Sequence, residues 1–236
     1  MELNKMEQLE LLESSNNTIE LKTIVKHDEY TEKLAEFFDF RFEGEVTTEI
    51  KSLPSLPEEF GIGAIIGPSG SGKSTLLKTI NPNHVWEPKW DTDRSVISHF
   101  STPQEGIDKF SAVGFNSIPQ MTLPYDKLSN GEQFRCDLAR QLEDNALIDE
   151  YTSVVNRDVA FSTSNAFRRY VDKNDLKGIV VASCHYDILE WLRPDWVFDT
   201  FTGTSILGGI FGDHQYRLTY TEQLITSGKL LKSITI

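Results

Sequence analysis

The sequence predicts an α/β fold, and three short apolar runs predict it. Ile62–Ile66 (Ile-Gly-Ala-Ile-Ile) leads into a glycine-rich loop and then a helical pattern at Leu76, Leu77 and Ile80. Ala146-Leu147-Ile148 follows an amphipathic stretch, with Phe134, Leu138 and Leu142 on one side, and ends in Asp149-Glu150. Gly178–Ser183 ends at Cys184-His185. Runs this short, bounded by turn residues, read as buried strands, and the spacing between them reads as helix.

Composition narrows the class. The chain has 236 residues, of which 39% are hydrophobic, enough for one substantial domain with its own core. The longest apolar runs are far too short to span a bilayer. Met1-Glu2-Leu3-Asn4-Lys5 lacks the basic start and apolar stretch of a secretion signal. Two cysteines, Cys136 and Cys184, make no disulfide framework, so a reducing cytoplasmic location and no membrane partner are expected. The net charge is −13, and residues 1–60 hold 15 acidic against 6 basic side chains. That acidity opposes non-specific binding to a phosphate backbone, and no basic stripe with aromatics marks a nucleic-acid groove.

In chain order, residues 1–17 form an N-terminal arm, read as a short polar helix or a disordered tail ending at Ser14-Ser15-Asn16-Asn17. Residues 18–236 are expected to be a single domain. Its first part, 18–60, reads as an antiparallel β region: a strand over Thr18–Lys26, a helical turn or two over Thr31–Phe37, and a hairpin. In that hairpin Phe38, Phe40 and Phe42 alternate with charged residues before Gly44, and Val46, Thr48 and Ile50 alternate after it. Ser95–Phe100 reads as the strand after the glycine-loop helix. Thr102 as N-cap, Pro103 at N1 and Glu105 at N3 then start a helix with Ile107 and Phe110 inward and Gly114 at its end. Residues 115–127 read as a linker, and Ser129 with Glu132 forms a capping box on the next helix.

The loop Gly67-Pro68-Ser69-Gly70-Ser71-Gly72-Lys73-Ser74-Thr75 fits G-x-x-x-x-G-K-[ST] at every fixed position. Glycines let the backbone wrap phosphates closely, and successive N–H groups at a helix N-terminus face the anion. Lys73 adds a full charge at the β- and γ-phosphates, and Ser74 offers a hydroxyl to Mg²⁺.

Four motifs then agree in order and spacing: this loop, Leu128-Ser129-Asn130-Gly131-Glu132-Gln133, the strand ending Asp149-Glu150, and the strand ending at His185, 35 residues beyond Glu150. Over about residues 61–200 the chain resembles the ATP-binding cassette (ABC) superfamily of P-loop NTPases. The resemblance implies an ABC ATPase-like mixed sheet with a shortened helical and signature region over 101–140, and ATP with Mg²⁺ as cofactors. It implies Asp149 in the Mg²⁺ shell, Glu150 as general base on the attacking water, and His185 beside the γ-phosphate. It further implies that Ser129, Asn130, Gly131 and Glu132 act in trans, covering the nucleotide of a second copy in an ATP-dependent head-to-tail dimer. Tyr151 replaces the family's proline, and Asn156 stands where the family has its D-loop aspartate. The Q-loop equivalent is His99 by position, with Gln104 and Gln120 as alternatives. Phe40 or Phe42 is the candidate to stack on adenine.

The stretches Cys184–Leu192 and Pro194–Asp199 look like those of soluble, stand-alone ABC-type ATPases associated with acetyltransferase-linked proteins. No acetyl-CoA-binding segment is recognisable, and no acetyltransferase activity follows. Only 54 residues separate Lys73 from Leu128, short for a transporter cassette. Three functions fit: a hydrolase whose dimerisation cycle drives a further protein partner, a P-loop kinase passing the γ-phosphate to a small molecule or base, and a nucleotide-gated binding subunit. Glu150 and the signature favour the first.

Overall fold

The computed structural model describes residues 11–12, 18–24, 26–39, 44–53, 55–82 and 88–207. A six-stranded sheet forms the centre. Its strands are β1 (Leu11–Leu12), β4 (Ile62–Ile66), β5 (Leu147–Ile148), β6 (Ile179–Ser183), β7 (Trp196–Asp199) and β8 (Thr204–Leu207), in the order β1-β8-β7-β4-β6-β5. β7, β4, β6 and β5 run parallel; β8 turns back antiparallel on β7, and β1 pairs antiparallel with β8.

The pleat divides the core into two halves, because successive side chains point to opposite faces. Ile62, Ala64 and Ile66 of β4 and Ile179 and Val181 of β6 face one layer. That layer holds α3 (Pro103–Ala112), α5 (Asn130–Arg140), α6 (Arg157–Asn174) and α7 (Ile188–Leu192), through residues such as Phe110, Leu138, Phe167 and Leu189. Ile65, Val180, Ala182, Trp196 and Phe198 face the other way. There they meet Leu76 and Leu77 of α2 (Lys73–Ile80) and Ile50 of a separate two-stranded ribbon. Trp196, the cross-strand partner of Gly63, sets its indole where a Cβ on Gly63 would come within 2.1 Å of it.

The ribbon pairs β2 (Thr18–Ile24) with β3 (Glu45–Lys51), in register from Thr18–Lys51 to Ile24–Glu45. The strand expected over Thr18–Lys26 is therefore present over Thr18–Ile24, and it is this strand that pairs with 45–51 among the described residues; residues 40–43 of the hairpin expected around Gly44 lie outside them. The partner of 45–51 lies before α1 (Glu29–Phe38), and Phe38 ends that helix. A capping box explains the choice: Asp28 Oδ1 accepts the N–H of Thr31 at 2.9 Å, and the Thr31 hydroxyl accepts the N–H of Asp28 at 2.9 Å. Phe40 and Phe42 lie outside the described residues.

Three other expectations change. Ser95–Phe100 is not a strand but a 3₁₀ turn, Val96–His99. Its polar groups satisfy one another locally: Ser98 N–H donates to the Ser95 carbonyl at 3.0 Å, and the Ser95 and Ser98 hydroxyls meet at 2.6 Å. Such local bonds compete with sheet pairing. α3 starts as expected, with Thr102 capping Glu105 at 3.1 Å and Pro103 at N1, but its inward phase is Gly106, Phe110 and Ala112 while Ile107 is exposed. The linker over 115–127 contains a helical turn, α4 (Ile118–Met121), and a 3₁₀ turn, Tyr125–Lys127.

Candidate active site

β4 delivers the Gly67–Thr75 loop at its C-terminal end, and α2 begins at Lys73. Gly67, Gly70 and Gly72 take φ of 147°, 77° and 87°, a region that side chains with a Cβ avoid. Gly72 is doubly required, since a Cβ there would come within 2.5 Å of Ile50 Cγ2. Pro68, Ser69 and Gly70 form the exposed rim; Ser71, Gly72, Ser74 and Thr75 are half-buried. The Lys73 ammonium is buried and donates to the carbonyls of Gly67 at 3.0 Å and Pro68 at 2.8 Å. Two neutral carbonyls leave its charge uncompensated, and the first-turn N–H groups of α2 have no intrahelical acceptor. The cradle suits an anion.

The second part follows β5. Asp149 is half-buried, and its Oδ1 accepts the Glu150 N–H at 2.9 Å. Glu150 is exposed with φ 50°, and Thr152 has φ 64°. Two left-handed non-glycine residues so close together carry strain, which persists only where surroundings over-determine the turn. Tyr151 does this. It is fully buried; its N–H donates to Ala182 O at 2.8 Å, its carbonyl accepts the Ser183 hydroxyl at 2.8 Å, and its hydroxyl meets Ser164 Oγ at 3.0 Å. Its ring packs edge-on to Phe134 of α5 and Phe167 of α6. Burial pushes the Tyr151 phenol far above its ordinary range.

His185 follows β6 and is half-buried. Its N–H donates to Ser183 Oγ at 3.1 Å, and its Nδ1 lies 3.4 Å from Thr152 Oγ1. Burial, then the Arg157 guanidinium, pull its pKa below the ordinary histidine value, while Asp187 and Glu150 pull the other way. The ring is therefore neutral near pH 7.

Sheet order brings these parts together. β4, β6 and β5 are adjacent and parallel, with Ile66 opposite Ser183 and Ile148 opposite Val181. Their loops leave the same edge of the sheet. At about 4.8 Å per strand, the Asp149–Glu150 turn lies about 10 Å laterally from the glycine loop, with His185 just beyond the end of the strand between. Ser74 and Asp149 suit Mg²⁺, which takes few protein oxygens and completes its shell with water and phosphate.

The N-terminus of α5 is exposed at Ser129 and Asn130, while Gly131 and Glu132 are half-buried. The Ser129 N–H and hydroxyl donate to the Glu132 carboxylate at 2.8 and 2.7 Å, which holds Glu132 below the usual carboxylate range. Asn130 and Gln133 line a cleft of about 350 Å³ with Asp149, Glu150, Ser153 and Val154, and no residue of the Gly67–Thr75 loop lines it.

The remaining candidates have local partners. His99 donates from Nδ1 to Ser95 O at 3.0 Å, accepts the Asp91 N–H on Nε2 at 3.0 Å, and packs edge-on to Trp90. Gln104 is exposed and donates to Asp108 at 2.9 Å. Gln120 is half-buried on α4, and its Oε1 has no partner among the described residues. Asn156 caps α6, accepting the Val159 N–H at 2.9 Å.

Two residues near the site escape sequence reading. The Thr200 hydroxyl lies 2.6 Å from Ser71 Oγ and donates to Ile66 O at 3.1 Å, pinning the glycine loop from β7. Arg157 pairs with Asp187 beside His185. Neither belongs to a local motif; both meet the site only through tertiary contact.

Comparison with solved structures follows this geometry. The ATP-binding cassette MJ0796 in a dimeric post-hydrolysis state, bound to ADP and Pi, superposes with a TM-score of 0.54 at 15% identity, over 72% of this chain and 95% of that one. The chain has the fold of an ATP-binding cassette. A second MJ0796 structure, described as a dimeric bacterial ABC transporter cassette, gives a TM-score of 0.49 at 16% identity, covering 65% and 88% of the two chains. The archaeal ribosome recycling factor aABCE1, in complex with the ribosomal stalk protein aP1, gives 0.47 at 18% identity, covering 64% and 39%. No protein-family model and no curated protein matches the chain.

Proposed function

We propose that this cassette binds and hydrolyses ATP with Mg²⁺, and that two copies close head to tail on the nucleotide to do so. One observation supports it most: the glycine loop, His185 and the Asp149–Glu150 turn leave three adjacent parallel strands on one sheet edge. Lys73 exchanges its two carbonyl acceptors for β- and γ-phosphate oxygens, and the first-turn N–H groups of α2 hold the chain of phosphates. Ser74 and Asp149 would hold Mg²⁺, which would supply charge neutralisation at the phosphates. Glu150, exposed at the rim, orients and deprotonates the attacking water. His185, neutral, donates one N–H toward the γ-phosphate. The other face of the transition state stays open within one chain, because α5 does not cover the glycine loop. The α5 N-terminus of a second copy, with Ser129 and a favourable dipole, closes it. The cycle drives a further protein partner.

Phosphate release by the wild-type protein, measured beside Glu150→Gln, tests this. Release that Glu150→Gln abolishes supports hydrolysis. Absence of release together with phosphate transfer to an added acceptor would replace it with a phosphotransferase.

A further inference from the structure

Arg157 is the first residue of α6, directly after the Asn156 cap. Its guanidinium grips Asp187 with two bonds: Nε donates to Oδ2 at 2.8 Å, and Nη2 donates to Oδ1. The same group lies over the Trp191 ring, 5.2 Å from its centroid, and Trp191 packs edge-on to Phe161 of α6 at 5.5 Å. Asp187 is two residues after His185 and stands at the N-cap position of α7, where its carboxylate makes no capping bond and is taken by Arg157 instead. The pair therefore ties the segment after the Asp149–Glu150 turn to the segment that carries His185. A bidentate guanidinium–carboxylate pair fixes orientation as well as distance, and a lysine reproduces neither the fork nor the stack.

We infer that Arg157 is the positioning residue of the His185 loop: its two-bond grip on Asp187 and its stack on Trp191 set where the His185 ring stands relative to Glu150. Arg157 itself touches no nucleotide in this assignment. The inference rests on the hydrolase reading for its effect on turnover but not for its effect on His185. Groups facing His185 are Thr152, Glu150, Arg157 and Asp187.

The test uses the full chain carrying Arg157→Ala, Arg157→Lys and Asp187→Asn, with two separate readouts. The first is nucleotide affinity and turnover, read with a fluorescent ATP analogue and by phosphate release. Affinity should stay within roughly threefold of wild type, because the Lys73 loop is untouched, while kcat falls roughly 10–100-fold, the scale of a misplaced catalytic group. The second is the NMR titration of the His185 ring, assigned with His185→Gln, which needs no turnover. Removing the nearby cation in Arg157→Ala should raise the midpoint, and removing the carboxylate in Asp187→Asn should lower it. Arg157→Lys keeps the charge and should still lose turnover. Wild-type kcat in Arg157→Lys, or an unmoved His185 titration in both Arg157→Ala and Asp187→Asn, overturns the inference. Should the wild type release no phosphate, the hydrolase reading fails by itself and the titration alone decides. Should Arg157→Ala fail to fold, Arg157→Lys and Asp187→Asn carry both readouts.

Discussion

Tyr151 shows how one residue holds the Asp149–Glu150 turn in shape. Its neighbours Glu150 and Thr152 both sit at positive φ, and its buried ring and three hydrogen bonds keep them there. Tyr151→Phe removes the bond to Ser164 and should cost about 1 kcal/mol, read as a lowered urea midpoint. Tyr151→Ala, which empties a fully buried site, should cost about 3–5 kcal/mol and release Glu150 from its conformation. Glu150→Gln keeps the shape and removes the proposed base, so kcat should fall roughly 10²–10⁴-fold with ATP still bound. His185 gives the pH dependence. Its pKa in the folded chain lies below the unfolded value, so the folded state disfavours the added proton. The stability tied to its neutral form is present above the unfolded value, near pH 6.5, and is lost as pH falls through the lower folded value. Phosphate release should show an acidic limb with a midpoint below 6.5, and His185→Gln should lack that limb.

At the scale of elements, the ribbon of β2 and β3 reaches the glycine loop at Ile50. Ile50 is buried against Gly72, so Ile50→Ala should cost about 2–5 kcal/mol and also weaken nucleotide binding, measurable by thermal melting with and without ATP. The caps are similar in kind but smaller: Asn156→Ala should cost about 1 kcal/mol through the first turn of α6. The elements legible in the sequence were those with a local cause. The Gly67–Thr75 loop, the capping boxes and the strands β4 and β6 carry their reasons within ten residues. The misread elements depend on what lies opposite. Ser95–Phe100 has a strand's short apolar content but satisfies its own polar groups, and Phe38 stands beside charged residues yet is the last residue of a helix started by the Asp28 cap. Ile107 has the spacing of an inward residue, but α3 is phased by Phe110. Thr200 and Arg157 act across 129 and 30 residues, to Ser71 and Asp187, and no window of sequence shows either.

For the whole molecule, charge is the dominant long-range quantity. Two copies at −13 each repel one another, so the proposed ATP-held pair has to form against that field. Association of Glu150→Gln with ATP and Mg²⁺, followed by light scattering, should tighten as salt rises from about 0.03 M to 0.3 M, where the screening length falls to several ångströms. A protein that stays single at high concentration across that range would contradict the head-to-tail pair. The close fit of Trp196 over Gly63 also makes the chain its own optical probe. The indole is shielded from water, edge-on to Phe60 and stacked on the strand that opens into the glycine loop. In a chain with Trp86, Trp90 and Trp191 replaced by Phe, its emission should be blue-shifted at rest, and any movement of that strand as nucleotide arrives should change its colour without an added dye.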